Sequence, residues 1–355
     1  MRQCVVYLVY NISGYLVAEL DALVKQADVI VFERPCKLTS SARQKFGRRI
    51  RWIDRTRLRS CDDALRELGD VRPSICICGG WFDKIYLSLT RELHKRGSST
   101  VLSIDTPWEG KVKQIVNCML SRVRLVPYFD FGWGAGSAQV RYLRHLGFSS
   151  NRIRRGTYSA DVEKFSGIYE HNRSREAWPH VFLYVGRYVA VKNMDRMQEA
   201  FVKACEKRPQ SDWKLICIGG GALWESRFVH PRIAHLGYKN PFELQKYVGE
   251  AGCFVLPSLY EPWGVVVHEF AAMGLPLICS KKVMATEAYL RPNETGYLFD
   301  PFSVSDMTRA FISIMDLSDE NLKAMGEGSH RLGLSYTPEH WARQVLEFGV
   351  THEVK

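Results

Sequence analysis

Two glutamates stand eight residues apart in the stretch SLYEPWGVVVHEFAAMGLP, residues 258–276: Glu261, followed by Pro262, Trp263 and Gly264, and then Glu269. Carboxylates avoid dry interiors unless something pairs with them. Either the turn is solvated and the pair carries no chemistry, or both acids reach into a polar cleft. Glu261 follows the strand-like run CFVLPS, and Gly264 opens a helix whose first turns hold Val265 to Glu269. Backbone N–H groups and the dipole at such a helix start attract an anion, and Gly264 lets a ligand approach the backbone. A second loop of this kind is YVGRYVAVKNMD, residues 184–195. Gly186 closes the strand, and Arg187 and Lys192 precede the next helix. An Arg fork and a Lys point charge leaving one strand end suit a diphosphate; two solvated surface cations are the alternative.

Such loops need a frame that presents them together. At 355 residues the chain exceeds the usual size of one core, so two domains are expected. Short β-branched runs alternate with amphipathic stretches: CVVYLVY, GYLVAELDALVKQ, DVIVF, SICICGG, KIYLSLTRELHKRG and STVLSID in the first half. After a polar, aperiodic segment the alternation restarts with VFLYVG, MDRMQEAFVKACEK and WKLICIGGG. The pattern predicts two doubly wound parallel α/β domains. The expected bounds are 1–165 and 181–337, a linker at 166–180, and a last helix, 338–355, that packs back on the first domain. In such sheets ligands bind beyond the carboxyl ends of the strands.

The second half resembles the retaining glycosyltransferases of the large family numbered four. Their order of parts is Gly-Arg, four residues and Lys; a strand ending in glycines; then Glu, seven residues, Glu, and Gly-Leu-Pro. Here these read GRYVAVK (186–192), LICIGGG (215–221), EPWGVVVHE (261–269) and MGLPLICS (273–280), followed by ETGYLFDP (294–301). The resemblance spans residues 181–310. The first half resembles the family only faintly, in WGAGSAQVRYLRHLGFSSNRI and SADVEKF. The family's Gly-Gly loop after the first strand is reduced to Gly14. Where a His often follows the fourth strand, SIDTPWEG offers Asp105 and Trp108 instead.

The resemblance implies a GT-B fold, two Rossmann-like domains facing a central cleft, and a hexosyltransferase-type enzyme that moves a sugar from a nucleotide-diphosphate donor, a UDP-sugar on prevalence, with retention. The acceptor would be a glycan or lipid-linked glycan in polysaccharide or lipopolysaccharide synthesis, and the nucleotide-sugar a substrate rather than a cofactor. Arg187 and Lys192 would bind the diphosphate, Glu269 the ribose, and Glu261 with the backbone at Trp263, Gly264 and Val265 the transferred sugar and phosphates; Gly186 shapes the loop. Catalysis would rest on Glu261, Arg187 and Lys192, and the acceptor side on Gly14, Asp105 and Trp108. No Asp-x-Asp occurs, so the diphosphate has no metal-binding motif and a metal-independent reaction is expected. His268 points about 100° away from Glu269 along a helix and is expected to pack in the domain. Trp263 either fills the turn or stacks on a ligand.

The net charge of +11 is uneven: residues 1–164 hold 28 Lys and Arg against 16 Asp and Glu. The run RQKFGRRIRWIDRTRLR (43–59) holds eight of these cations and one acid. It is either a solvated loop and strand, or a surface for anionic lipid through Arg48, Arg49, Arg51 and Trp52. No nucleic-acid recognition motif accompanies it. No signal-peptide pattern or membrane span is present in the sequence, so a cytoplasmic protein is expected, peripheral on the inner membrane face if the basic run meets lipid. The ten cysteines lie mostly in apolar runs, as buried thiols do. A nicotinamide-dependent oxidoreductase fits poorly, because IGGGALWE lacks spaced glycines. A sugar-nucleotide-binding protein or epimerase of GT-B architecture is the remaining alternative.

Overall fold

The computed structural model describes residues 2–172, 176–239 and 241–350. The chain divides into two compact units, residues 1–161 with 336–355, and residues 162–335.

The first unit runs β1 (Cys4–Leu8), α1 (Gly14–Leu23), β2 (Asp28–Glu33), α2 (Lys37–Phe46), β3 (Ile50–Asp54), α3 (Cys61–Leu68), β4 (Ile75–Gly79) and α4 (Lys84–Lys95). It continues through β5 (Ser99–Ile104), α5 (Val112–Arg124), β6 (Phe131–Gly134), α6 (Ser137–Leu146) and β7 (Ile153–Arg155). All neighbours pair in parallel, in the order β3-β2-β1-β4-β5-β6-β7. The order reverses direction between β1 and β4. Central strands read as near-continuous apolar runs because helices cover both faces; Val5, Val6, Leu8, Ile75 and Ile77 are fully buried. Cys76 and Cys78 are buried with Leu89 and Tyr86 under one face.

The second unit contains α7 (Val162–Asn172), β8 (Val181–Val185), α8 (Met194–Lys207), β9 (Lys214–Ile218), β10 (Ile233–His235), α9 (Pro241–Gly249) and β11 (Cys253–Leu256). Then follow α10 (Val265–Ala272), β12 (Leu277–Ser280), α11 (Thr286–Tyr289), β13 (Gly296–Phe299), α12 (Val304–Met315) and α13 (Asp319–Gly333). Its parallel sheet has the order β10-β9-β8-β11-β12-β13 and reverses between β8 and β11. A last helix, α14 (Pro338–Val350), returns to the first unit: Trp341, Val345 and Phe348 are buried with Trp133 and Phe131, and the Trp341 indole donates to Thr157 O at 3.0 Å.

The segment expected to be a linker departs from that reading. Its first part lies in α7, and the compact units meet at residues 161/162 rather than after 165; residues 173–175 of it lie outside the described residues. Val162, Phe165, Ser166, Ile168 and Tyr169 are shielded at helical spacing while their neighbours are exposed. The Tyr169 ring stacks on His330 with centroids 3.8 Å apart. The polar residues after it masked this period in the sequence.

Candidate functional site

The loops that follow β8 and β11 leave adjacent strands at the point where the strand order reverses. Neighbouring connections there run to opposite faces of the sheet and open a crevice. Gly186 follows β8, and Arg187 is exposed just beyond it. Tyr184 in β8 donates its hydroxyl to Arg187 O at 3.0 Å, fixing the backbone under that side chain. Burial pushes the Tyr184 phenol up, so it stays a neutral donor. A short turn, residues 190–192, then presents Lys192. Leu259 N donates to Val191 O at 2.9 Å, tying the two loops together. Asn193, in the left-handed region at φ 57°, sends its buried amide to Pro257 O at 3.2 Å and Pro301 O at 2.8 Å.

Lys192 and Glu261 meet. The ammonium bonds Glu261 Oε2, and the Ser258 hydroxyl donates to the same oxygen at 3.2 Å. The two side chains are only 15% and 19% exposed, so the pair is shielded rather than a surface ornament. Glu261 is pinned by its backbone as well: its N–H donates to Lys282 O at 3.1 Å, and its carbonyl accepts from Met284 N at 3.3 Å. Gly264 sits at φ 97° before α10, and a Cβ there would come within 2.9 Å of Glu261 Cγ. Val265 and Glu269, one turn apart on α10, are partly exposed.

Trp263 does not offer its ring to a ligand. It is 5% exposed and packs edge-on near Tyr289, with centroids 6.5 Å apart. Its carbonyl accepts from Ala285 N at 2.9 Å. The turn folds this large apolar ring under itself, which anchors the loop that carries Glu261. His268 is fully buried, stacks on Tyr289 at 4.0 Å and has Nε2 2.8 Å from Gly333 O. Desolvation pushes it down to about 4, so it is neutral and structural.

The first unit has a cavity of about 440 Å³ at its own reversal point, between β1 and β4. Tyr10, Asn11 and Ser13 after β1, Gly80 and Trp81 after β4, and Asp105 with Thr106 after β5 are among its walls. Desolvation raises the Asp105 carboxyl above the usual range, although the side chain reaches solvent. Gly14 opens α1 between the wall residues Ser13 and Tyr15 but is not itself a wall. Trp108 is displaced from this cavity: its ring stacks on His145 at 4.1 Å and leans on Tyr142, both on α6. The aromatic and hydroxyl wall was not foreseen. Its sequence signal is the polar turn of VYNIS directly after the first strand.

The basic run is largely engaged within its own unit. Arg43 pairs with Glu33 at 2.8 Å, Lys45 and Arg49 with Asp21 at 3.6 and 3.7 Å, and Arg55 with Asp83 at 2.8 Å. Arg51 caps the carbonyls of Glu67 and Leu68. Trp52 is half-buried on β3 against Phe46, with centroids 6.2 Å apart. Of the residues expected to form a lipid surface, Trp52, Arg49 and Arg51 make these contacts within the unit, and Arg49 and Arg51 remain exposed. Arg48 is exposed.

Residues 170–331, which carry the loops after β8 and β11, match the family described as "Glycosyl transferases group 1". That segment is less than half of the chain. The chain is also similar to a D-inositol 3-phosphate glycosyltransferase of Rhodococcus opacus, 25% identical over 221 residues, which cover 58% of this chain and 49% of that protein. The chain thus spans about half the length of the curated relatives it matches. Over its whole length it has the fold of a glycosyltransferase from Rickettsia africae, with TM-score 0.73, 12% identity and coverage of 100% and 99% of the two chains. Anabaena HepE in complex with UDP is similar in the same way, with TM-score 0.74, 12% identity and coverage of 97% and 98%. These likenesses establish the GT-B fold of the chain.

Proposed function

We propose that this protein is a retaining glycosyltransferase that moves a hexose from a UDP-sugar to a glycan or lipid-linked glycan acceptor, in polysaccharide or lipopolysaccharide synthesis. One observation supports the reading: Lys192 bonds Glu261, which lies against Gly264 at the start of α10, while Arg187 leaves the neighbouring strand end. Breaking the sugar–phosphate bond sends its electron pair to the diphosphate. Arg187, Lys192 and the α10 N–H groups stabilise that charge; a preorganised donor in such a place contributes about 3 kcal/mol. Glu261 and Glu269 accept hydrogen bonds from sugar hydroxyls, Glu269 from the ribose. The acceptor oxygen forms its bond on the face the phosphate leaves, and its proton passes to the departing phosphate oxygen. The polar-and-aromatic cavity of the first unit suits a sugar acceptor, which ring faces stack and hydroxyls orient.

The test is thermal stability of the purified protein with UDP, GDP, ADP and NAD, followed by assay of released nucleoside diphosphate with candidate UDP-sugars. A ligand at 100 times its Kd adds about 2.7 kcal/mol. UDP raises the melting temperature, and Arg187→Ala removes the rise. Stabilisation by NAD alone overturns the donor site. Binding of UDP-sugar with interconversion of the free sugar-nucleotide, and no transfer, identifies an epimerase instead.

A further inference from the structure

Helix α5 is built inside out. Val112, Ile115, Val116, Met119, Leu120 and Val123 are 42–77% exposed. At 100° per residue these six fall within one continuous arc of about 140°. The buried side of the helix is polar instead. Gln114 accepts from Glu109 N and donates to Pro107 O, each at 2.8 Å. The Ser121 hydroxyl donates to Leu146 O at 2.6 Å. Each polar group turned inward has a partner, so this orientation is specified, and rotating the helix to bury its apolar face would break those bonds.

Exposed charge borders the apolar arc on both sides. Lys113 and Arg124 flank one edge and Arg122 the other. Lys113 also lies over the ring of Phe82 at 5.9 Å, and Phe82, 67% exposed, extends the patch to the rim of the first unit's cavity. No helix among the described residues is long and apolar enough to cross a membrane. An apolar face edged by Lys and Arg is the pattern of a helix that lies in a bilayer interface.

We propose that α5, with Phe82, docks the first unit on an anionic phospholipid bilayer. The apolar arc enters the headgroup boundary, and Lys113, Arg122 and Arg124 meet lipid phosphates. The positive excess of residues 1–164 draws the same face to the surface. The cavity beside Phe82 then opens at the height where a lipid-linked acceptor presents its headgroup; this clause rests on the function proposed above, while the docking does not.

The test is co-sedimentation of the full chain with vesicles of phosphatidylcholine alone and of phosphatidylcholine mixed with phosphatidylglycerol, at low and high salt. The exposed double variant Met119→Glu/Val123→Glu is compared with Arg48→Ala. The expected result is binding to the phosphatidylglycerol vesicles, weaker in salt, and at least about tenfold weaker in the double variant but unchanged in Arg48→Ala. Circular dichroism and UDP-induced stabilisation report that the double variant is folded. Equal binding of the double variant and the parent overturns the proposal. So does no vesicle binding with a concentration-dependent dimer that the double variant abolishes, which would make this face a contact between copies. A chain that binds vesicles through α5 but transfers no sugar retains the docking and overturns only the function.

Discussion

The Lys192–Glu261 pair separates a structural role from a ligand-binding one. Replacing Lys192 with Met leaves a carboxylate that is 19% exposed with only the Ser258 hydroxyl still aimed at the oxygen the ammonium held. Stranding a deeply buried charge costs roughly 3–5 kcal/mol; with water partly reaching this site, we expect a stability loss of about 2 kcal/mol. Neutralising the partner as well, in Lys192→Met/Glu261→Gln, removes the stranded charge and returns stability to within about 0.5 kcal/mol of the parent. UDP binding behaves differently. A cation about 4 Å from a phosphate at an effective dielectric of about 20 gains up to about 4 kcal/mol, of which desolvation cancels a good part. A net loss of about 2 kcal/mol is roughly 30-fold in Kd. Both variants therefore bind UDP about 30-fold more weakly by isothermal titration calorimetry, while urea unfolding shows stability lost in the single variant and regained in the double. If the double variant binds UDP as tightly as the parent, Lys192 serves only to neutralise Glu261 and the diphosphate contact assigned to it is wrong.

Acid sensitivity follows from His268. Its folded pKa lies at about 4, below the ordinary value of 6.5. The fold therefore holds it neutral, and the stability this contributes is fully present above about pH 6.5 and is lost as pH falls toward 4, amounting to about 3 kcal/mol over that window. His268→Phe keeps the stack on Tyr289 but leaves Gly333 O without the ring N–H. It should cost about 1 kcal/mol at pH 7 and flatten the decline between pH 6.5 and 4, as read by urea titrations across pH. Gly219→Ala probes the close approach of the turn after β9 to the Gly186 loop: its Cβ would fall 1.8 Å from Gly186 O, at φ +140°. We expect at least about 2 kcal/mol of destabilisation and a smaller UDP-induced rise in melting temperature; an unchanged melting profile would show that the Gly186 loop yields freely.

Much of the frame was legible in the chain. Buried parallel strands leave continuous apolar runs such as CVVYL and SICIC, and the helices between them repeat at helical spacing, because each must cover one face of a sheet. The motif order from GRYVAVK to MGLPLICS pointed to the loops after β8 and β11, since backbone approach and charge at strand ends are encoded locally by glycine, Arg and Lys. Helix α7 was hidden because its stripe is short and runs into a polar stretch.

What the sequence by itself determined is therefore the class of fold, the residues with charge to offer, and the strand ends that hold them. Only the tertiary structure decided which of these meet. Strand order is a long-range property, and it put the loops after β8 and β11 side by side across a reversal, so that Lys192 found Glu261 some seventy residues away. It also decided direction. Periodicity tells that α5 has an apolar face but not which way the face turns; the carbonyls of Pro107 and Leu146 claim Gln114 and Ser121, and that turns the apolar side to solvent. The same long-range pairing gave several cations of the basic run carboxylate partners while leaving most of them exposed, since an edge strand and its helices meet whichever carboxylates the fold brings near.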